Sequence, residues 1–240
     1  KDSGVIIERK LNLGGTLVAH TALITGQIDL YPEYTGTAVT AVLKQDPKQR
    51  PAAVRQQVRE GYKQWNVEWL DPLGFDNTFA MVVRRELAER EGISKLSEAG
   101  SRSWSLGVGY EFVNRTDGLA GLQKAYAIPL VKSPLTMDLG LLYRALEEGE
   151  VEMVAGNATD AQLASSEFTA LDDDRGFFPP YEAALAARAD ILRPEVRNAL
   201  AELSGALSAE TMRALNAEVT LQRRPVVTVA REFLASRAKQ

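Results

Sequence analysis

Two loops in this sequence each set polar or aromatic residues where they could meet a ligand. The first is Tyr34-Thr35-Gly36-Thr37, reached through Ala22-Leu23-Ile24-Thr25-Gly26-Gln27-Ile28-Asp29-Leu30. The second is Asn157-Ala158-Thr159-Asp160, reached through Ala145-Leu146-Glu147-Glu148-Gly149-Glu150-Val151-Glu152-Met153. Each approach reads as a helix end, a glycine stop, an acidic turn and a buried strand, and each loop then opens a new helix. Ligands of open α/β sheets gather outside the carboxyl ends of strands, and domain interfaces favour pockets. The echo therefore reads as two similar lobes, each offering a strand-end loop and a helix N-terminus to a shared cleft. Helix–glycine–strand turns are common in α/β proteins, so chance recurrence is the competing account.

Catalysis has less to draw on. Asp29, Glu33 and Asp160 could serve as acid and base, yet with 32 acidic residues such carboxylates discriminate little. A Ser-His-Asp triad would have to use His20, the single histidine. It lies in a helical stretch at 17–23, where a packed or surface histidine is the ordinary outcome. The absence of cysteine removes disulfides, thiolate metal sites and a cysteine nucleophile, and one histidine excludes a His-rich zinc site. There is no Gly-x4-Gly-Lys-Ser/Thr, and no Gly-x-Gly-x-x-Gly follows a strand. Neither a cofactor nor a metal is expected, and the chain does not read as an enzyme.

The elements that must position the loops follow from patterning. Strands are predicted at 5–10, 28–31, 67–70, 76–83, 105–108, 151–155, 168–171 and 184–187. Helices are predicted at 16–25, 37–43, 51–63, 85–92, 94–99, 137–148 and 159–164, at 116–126 behind a Thr116-Asp117-Gly118 cap, and at 194–204, 209–219 and 225–238. Thr16 is the expected N-cap of the first helix and Gly26 its left-handed stop. Residues 32–37 read as a loop and 177–181 as a stiff aromatic crossing. Short strands alternating with helices predict parallel α/β sheets.

The 240 residues suffice for one large α/β domain or two small lobes. The composition, 45% hydrophobic and 25% charged, is that of an ordinary globular protein. A net charge of −4 without a basic stripe argues against a nucleic-acid partner; Arg84-Arg85 and Arg223-Arg224 read as surface charge. No apolar run approaches the ~20 residues needed to span a bilayer. The opening Lys1-Asp2-Ser3-Gly4 has no apolar signal region, so an export signal would have been removed already.

Several segments, in order along nearly the whole chain, resemble the substrate-binding proteins of glycine-betaine, choline and related osmoprotectant ABC importers. They are Leu13-Gly14-Gly15-Thr16, then Gly26-Gln27-Ile28-Asp29-Leu30-Tyr31-Pro32-Glu33-Tyr34-Thr35-Gly36-Thr37, then Gly74-Phe75-Asp76-Asn77-Thr78-Phe79-Ala80. Glu111-Phe112-Val113-Asn114-Arg115-Thr116-Asp117-Gly118, Ala158-Thr159-Asp160 and Phe178-Pro179-Pro180-Tyr181 complete the set. The block from Tyr31 to Thr37 is the specific one; the Thr-Asp and Pro-Pro-Tyr pieces support it.

The resemblance implies a type II, two-lobed periplasmic-binding-protein fold of class α/β, hinged by crossing strands near 77–83 and 180–187. Lobe one would be 1–79 plus 184–240, and lobe two 80–183. It implies a quaternary-ammonium ligand held between the lobes by aromatic faces, a membrane permease as partner, and a place at the periplasmic or extracellular face of the membrane. At matching positions stand Tyr34, Phe79 and Tyr181 for the cage, Arg115 for a ligand carboxylate and Thr37 as a hydroxyl donor at a helix N-terminus. Asn157 stands where the family usually has a further aromatic, and Phe79 replaces the more usual tyrosine. This points to a different or larger betaine, such as a trimethylated amino acid. Each residue also has a plain reading: loop packing for Tyr34, core for Phe79, hinge packing for Tyr181, a turn for Asn157, and an ion pair with Glu111 or Asp117 for Arg115. Tyr31, Tyr110, Trp65, Trp69 and Trp104 are expected in core or surface. Members usually open with an export signal, a strand, a loop and a long helix; here 1–4 reads as the tail of that helix. The alternative function is a ligand-sensing or permease-tethered binding domain for another small polar molecule.

Overall fold

The computed structural model describes residues 6–48, 50–115 and 117–237. Its chain gathers into two compact units, the first Lys1–Asn77, Pro179–Met212 and Glu232–Gln240, the second Thr78–Phe178 and Arg213–Arg231. In chain order the first unit supplies α1 (Thr16–Ile24), β1 (Leu30–Tyr34), α2 (Thr35–Thr37) continued by a wider π turn at Ala38–Val42, α3 (Pro51–Tyr62) and β2 (Val67–Trp69). The second supplies β3 (Phe79–Arg84), α4 (Arg85–Glu91), β4 (Leu106–Gly109), α5 (Tyr110–Asn114), α6 (Leu119–Tyr126), β5 (Leu135–Met137), α7 (Leu139–Glu147), β6 (Met153–Asn157) and β7 (Phe168–Ala170). The chain then forms β8 (Ala183–Arg188), α8 (Pro194–Ala201), α9 (Ala209–Thr220) and α10 (Val226–Arg237).

The first unit's sheet has the order β1-β8-β2 and is antiparallel throughout. This corrects the expectation of parallel sheets. Its central strand, β8, is nearly all alanine, and the strand period of two divides it between two cores. Ala184 and Ala186 face Leu23, Val39, Val54, Val58 and Tyr62, while Ala183 and Leu185 face Leu73 and Phe75. β1 is an edge strand, which explains how it carries Pro32. The Thr35 N–H pairs inward with the Glu182 carbonyl at 3.0 Å, so alternation turns the backbone nitrogens of 32 and 34 to the outer edge.

In the second unit the order is β5-β4-β6-β3-β7, with β4 parallel to β5 and β6, and β3 antiparallel to β6 and β7. Met81, Val83, Leu106, Val108, Met153 and Ala155 pack on Trp104, Phe112, Leu122 and Tyr126. On the opposite face Ala80, Val82 and Val154 pack on Leu142, Leu146 and Phe168.

Several local expectations need correction. Residues 6–10 form no strand, and Ile6 and Ile7 lie exposed; Val5, the segment 1–4 and Thr116 are outside the described residues. Gly15, not Thr16, is the N-cap of α1, and no side chain caps that end. The predicted loop at 32–37 is mostly strand and helix. The helix predicted from 137 begins at Leu139, after the short strand β5. The five residues of α5 are too few to show a helical period.

The echo does survive as structure. Gly26 and Gly149 take φ of 75° and 77°, left-handed values that cost other residues energy. The N–H groups of Gln27 and Ile28 both return to the Ala22 carbonyl, and those of Glu150 and Val151 to Ala145. The shared geometry is a helix stop in which one carbonyl takes two donors.

The burial pattern of α1 gives a direct test. Leu23 is 0% exposed, and Leu17, on the same helix, is 54% exposed. Leu23→Ala is expected to cost ~2–5 kcal/mol by urea denaturation, against within ~0.5 kcal/mol for Leu17→Ala. Equal losses would contradict the packing described.

Candidate functional site

Tyr34 and Asn157 each close a strand, β1 and β6, and each stands the same distance beyond its left-handed glycine. Both backbone N–H groups fall where no strand can pair with them. Tyr34 faces the outer edge of β1. Asn157 faces β4, whose pairing with β6 has stopped at Val154. A carboxylate takes each: Glu33 Oε1 accepts from Tyr34 N at 2.7 Å, and Asp160 Oδ2 from Asn157 N at 2.7 Å. Each carboxylate also accepts a tyrosine hydroxyl, Tyr31 on Glu33 at 3.4 Å and Tyr143 on Asp160 at 2.9 Å.

In the first unit Tyr34, Thr37 and Tyr181 come together around Gly36. A Cβ on Gly36 would lie 2.7 Å from the Pro180 carbonyl and 2.8 Å from Tyr181 Cε1, so only glycine lets the helix start lie against that ring. The Thr35 hydroxyl donates to the Pro180 carbonyl at 3.3 Å. Tyr181 N–H donates to Asp76 Oδ2 at 3.0 Å, and its carbonyl accepts from Asn77 N at 3.1 Å. Tyr181 is buried, and Arg55 grips its neighbour Glu182 at 2.6 Å. Tyr34 is half-buried, meets Phe75 edge-on at 6.4 Å and bonds the Asn77 side chain; burial pushes its hydroxyl pKa up. Thr37 is half-buried in the first helical turn, two residues inside the start rather than at it.

The second unit brings together Phe79, Arg115 and Asn157. Phe79 and Asn157 are cross-strand partners in β3 and β6. The Arg115 guanidinium lies 5.2 Å from the Phe79 ring centroid and is held by Asp117 through two bonds of 2.8 Å. The ring also packs edge-on against Phe112 at 4.9 Å and beside Phe178 at 5.9 Å. Phe79 is thus both core wall and cation–π partner of Arg115. The Asn157 loop is held from beyond its own element: Tyr143 grips Asp160, while Arg213 and Asn216 of α9 donate to the carbonyls of Ala158 and Thr159 at 2.7 and 2.8 Å. Sequence reading missed these three, since nothing local links α7 or α9 to residue 157.

His20 is buried edge-on between Tyr62 and Trp65, at 5.3 and 4.6 Å, and burial lowers its pKa. Asp29 is exposed. Trp104 is core, with its indole N–H on the Ala99 carbonyl at 2.8 Å.

Two α/β units, one with a small antiparallel sheet and one with a mixed sheet, each gathering aromatic and polar side chains at strand ends, define a type II substrate-binding protein. The profile described as "Substrate binding domain of ABC-type glycine betaine transport system" matches residues 1–236, and the chain belongs to that family. The family is a transport component, not an enzyme. Among curated relatives, the ergothioneine transport permease/ergothioneine binding protein EgtU of Helicobacter pylori is 34% identical over 92% of this chain and 40% of its own length. The carnitine transport binding protein OpuCC of Listeria monocytogenes is 32% identical over 97% of this chain and 78% of its own length. The chain thus spans less than half of the first relative and most of the second. A crystal structure of a glycine betaine/carnitine/choline ABC transporter superposes with a TM-score of 0.88 at 32% identity, covering 94% of this chain and 85% of that one. Among the described residues no helix is long and apolar enough to cross a membrane.

The Glu33 carboxyl supplies a pH test. Burial raises its pKa, against the opposing pull of the Tyr34 N–H and the Thr16 and Tyr31 hydroxyls. A raised acid contributes stability that is full below the ordinary glutamate range and is lost as pH rises through the folded value. Glu33→Gln is therefore expected to flatten this part of the stability–pH curve and to gain on the parent as pH rises above the ordinary glutamate range. Parallel curves for parent and variant in urea titrations would contradict the raised pKa.

Proposed function

We propose that this protein is the extracytoplasmic receptor of an ABC importer and binds a small quaternary-ammonium zwitterion. The observation that supports it is the grouping of the candidate residues: Tyr34, Thr37 and Tyr181 around Gly36, and Arg115 and Asn157 beside Phe79. A trimethylammonium group has no hydrogen-bond donor and is attracted to the negative face of an aromatic ring. Tyr34 and Tyr181 are the cage rings in this reading. Phe79 contributes less, because Arg115 already lies over it. Arg115 meets the ligand carboxylate, with Asp117 fixing the plane of its guanidinium. Thr37 adds a hydroxyl. The lobes are the two compact units, the partner is a membrane permease, and the named ligands of the relatives are the first compounds to test.

A second reading is favoured by one relative. EgtU carries permease and binding protein under one name, and this chain matches 40% of it. The same residues would serve a binding domain tethered to its permease. A membrane-spanning segment in the complete reading frame would decide for that form.

Isothermal calorimetry against glycine betaine, carnitine, choline and trimethylated histidine is the test. At least one is expected to bind in the micromolar range. Tyr34→Ala and Tyr181→Ala should each weaken it by ~0.5–2 kcal/mol with cooperative unfolding kept; unchanged affinity in both removes the cage. Arg115→Ala should weaken carboxylate ligands more than choline, and equal losses would remove the clamp.

A further inference from the structure

The loop that carries Asn157 settles which atom of its amide a ligand meets. Asp160 faces Asn157 twice, taking the backbone N–H at 2.7 Å on Oδ2 and the side-chain Nδ2 at 3.4 Å on Oδ1. A carboxylate that already accepts the Tyr143 hydroxyl and a backbone N–H has only acceptor atoms to offer, so the amide must turn its NH2 toward it and its oxygen away. The arrangement is built in. A Cβ on Gly156 would lie 2.7 Å from Asp160 Oδ2 and 2.8 Å from the Tyr143 hydroxyl, so the three groups close around a glycine. Arg213 and Asn216 hold the next two carbonyls of the loop.

We propose that Asn157 is a specificity residue: through Oδ1 it accepts a hydrogen bond from the ligand, so the site selects quaternary-ammonium zwitterions that also carry a hydroxyl or ring N–H donor. This rests on the function proposed above and deepens it. An aromatic at this position would recognise only the ammonium group. An oriented amide oxygen recognises a donor elsewhere on the ligand, and a site built around a hydrogen bond rejects a ligand that leaves its polar group unpaired. Asp160 and Tyr143 are positioning residues in this scheme, since they fix the amide without touching the ligand.

The experiment compares matched ligands by calorimetry on the intact protein. One pair is carnitine and 4-trimethylammoniobutyrate, which differ by one hydroxyl. The other is trimethylated histidine and its analogue with the ring nitrogen methylated. At least one donor-bearing member is expected to bind about tenfold tighter than its partner, the effect of one hydrogen bond. Asn157→Leu should erase that preference, with the donor-bearing ligand losing about tenfold more affinity than its donor-free partner, and Asp160→Asn should reduce the preference. If both members of each pair bind the parent protein equally, or the preference persists in Asn157→Leu, the assignment is overturned while the quaternary-ammonium reading stands. If none of the four binds, this assignment is overturned; if glycine betaine and choline fail as well, the quaternary-ammonium reading falls with it. The parent comparison needs no variant, so a poorly folding Asn157→Leu does not protect the idea.

Discussion

A strand that stops inside a folded protein leaves its last N–H without a ladder partner, and an unpaired buried donor costs about 1–3 kcal/mol. Here a carboxylate placed next to the strand end takes that N–H in both units, Glu33 for Tyr34 and Asp160 for Asn157. Much else follows from it. The carboxylates need donors of their own, which Tyr31 and Tyr143 supply. Tyr31 comes from β1 itself and Tyr143 from α7, packed against β6, so each strand-end residue is tied to a partly or fully buried tyrosine. The side chain at the strand end is then free to differ, a phenol in one unit and an amide in the other, without disturbing the backbone that presents it.

The two carboxylates carry this role in different settings. Glu33 is 4% exposed on an edge strand and keeps a raised pKa because its donors do not offset the loss of water. Asp160 is half-buried in a loop and is surrounded by donors from three directions. The first arrangement stabilises a tyrosine at the outer edge of a small antiparallel sheet. The second orients an amide next to the central β3–β6 pair. A one-residue slip of that pair would turn Phe79 and Asn157 to opposite faces, so register is as much a part of the half-site as the side chains themselves.

Much of this was legible in the sequence because its signals are local. The glycine stops at 26 and 149, the amphipathic α3, the strand at 76–83 and the alanine-rich β8 all show in short windows. The Tyr31-to-Thr37 block pointed to the family. What stayed hidden was nonlocal. The antiparallel order of the first sheet depends on β8 returning from residue 183, and no periodicity reports a partner that distant. Pro32 and Glu33 looked like loop because proline disfavours strands, an argument that fails on an edge. Thr16 had the chemistry of a cap, but the helix starts one residue earlier, with Gly15 as its N-cap. The clasp on residues 157–160 from Tyr143, Arg213 and Asn216 could be seen only once α7 and α9 were in place.

The electrostatics of the second half-site bear on what kind of molecule suits it. Arg115 and Asp117 form a two-bonded pair with side chains 30% and 13% exposed, so the guanidinium is largely neutralised before any ligand arrives. Such a pair exerts little long-range pull on an anion, but it fixes a planar donor in one orientation over Phe79. Directional donors without net charge favour a ligand that brings both signs itself. In the proposed reading the ligand's carboxylate lies along the guanidinium, and its own ammonium brings the opposite charge with it. A simple cation would find only donors on the guanidinium, with no acceptor to bind it. The ion pair, read this way, discriminates by geometry where an isolated arginine would attract by charge alone, and this is consistent with an amide at residue 157 that reads a further polar group.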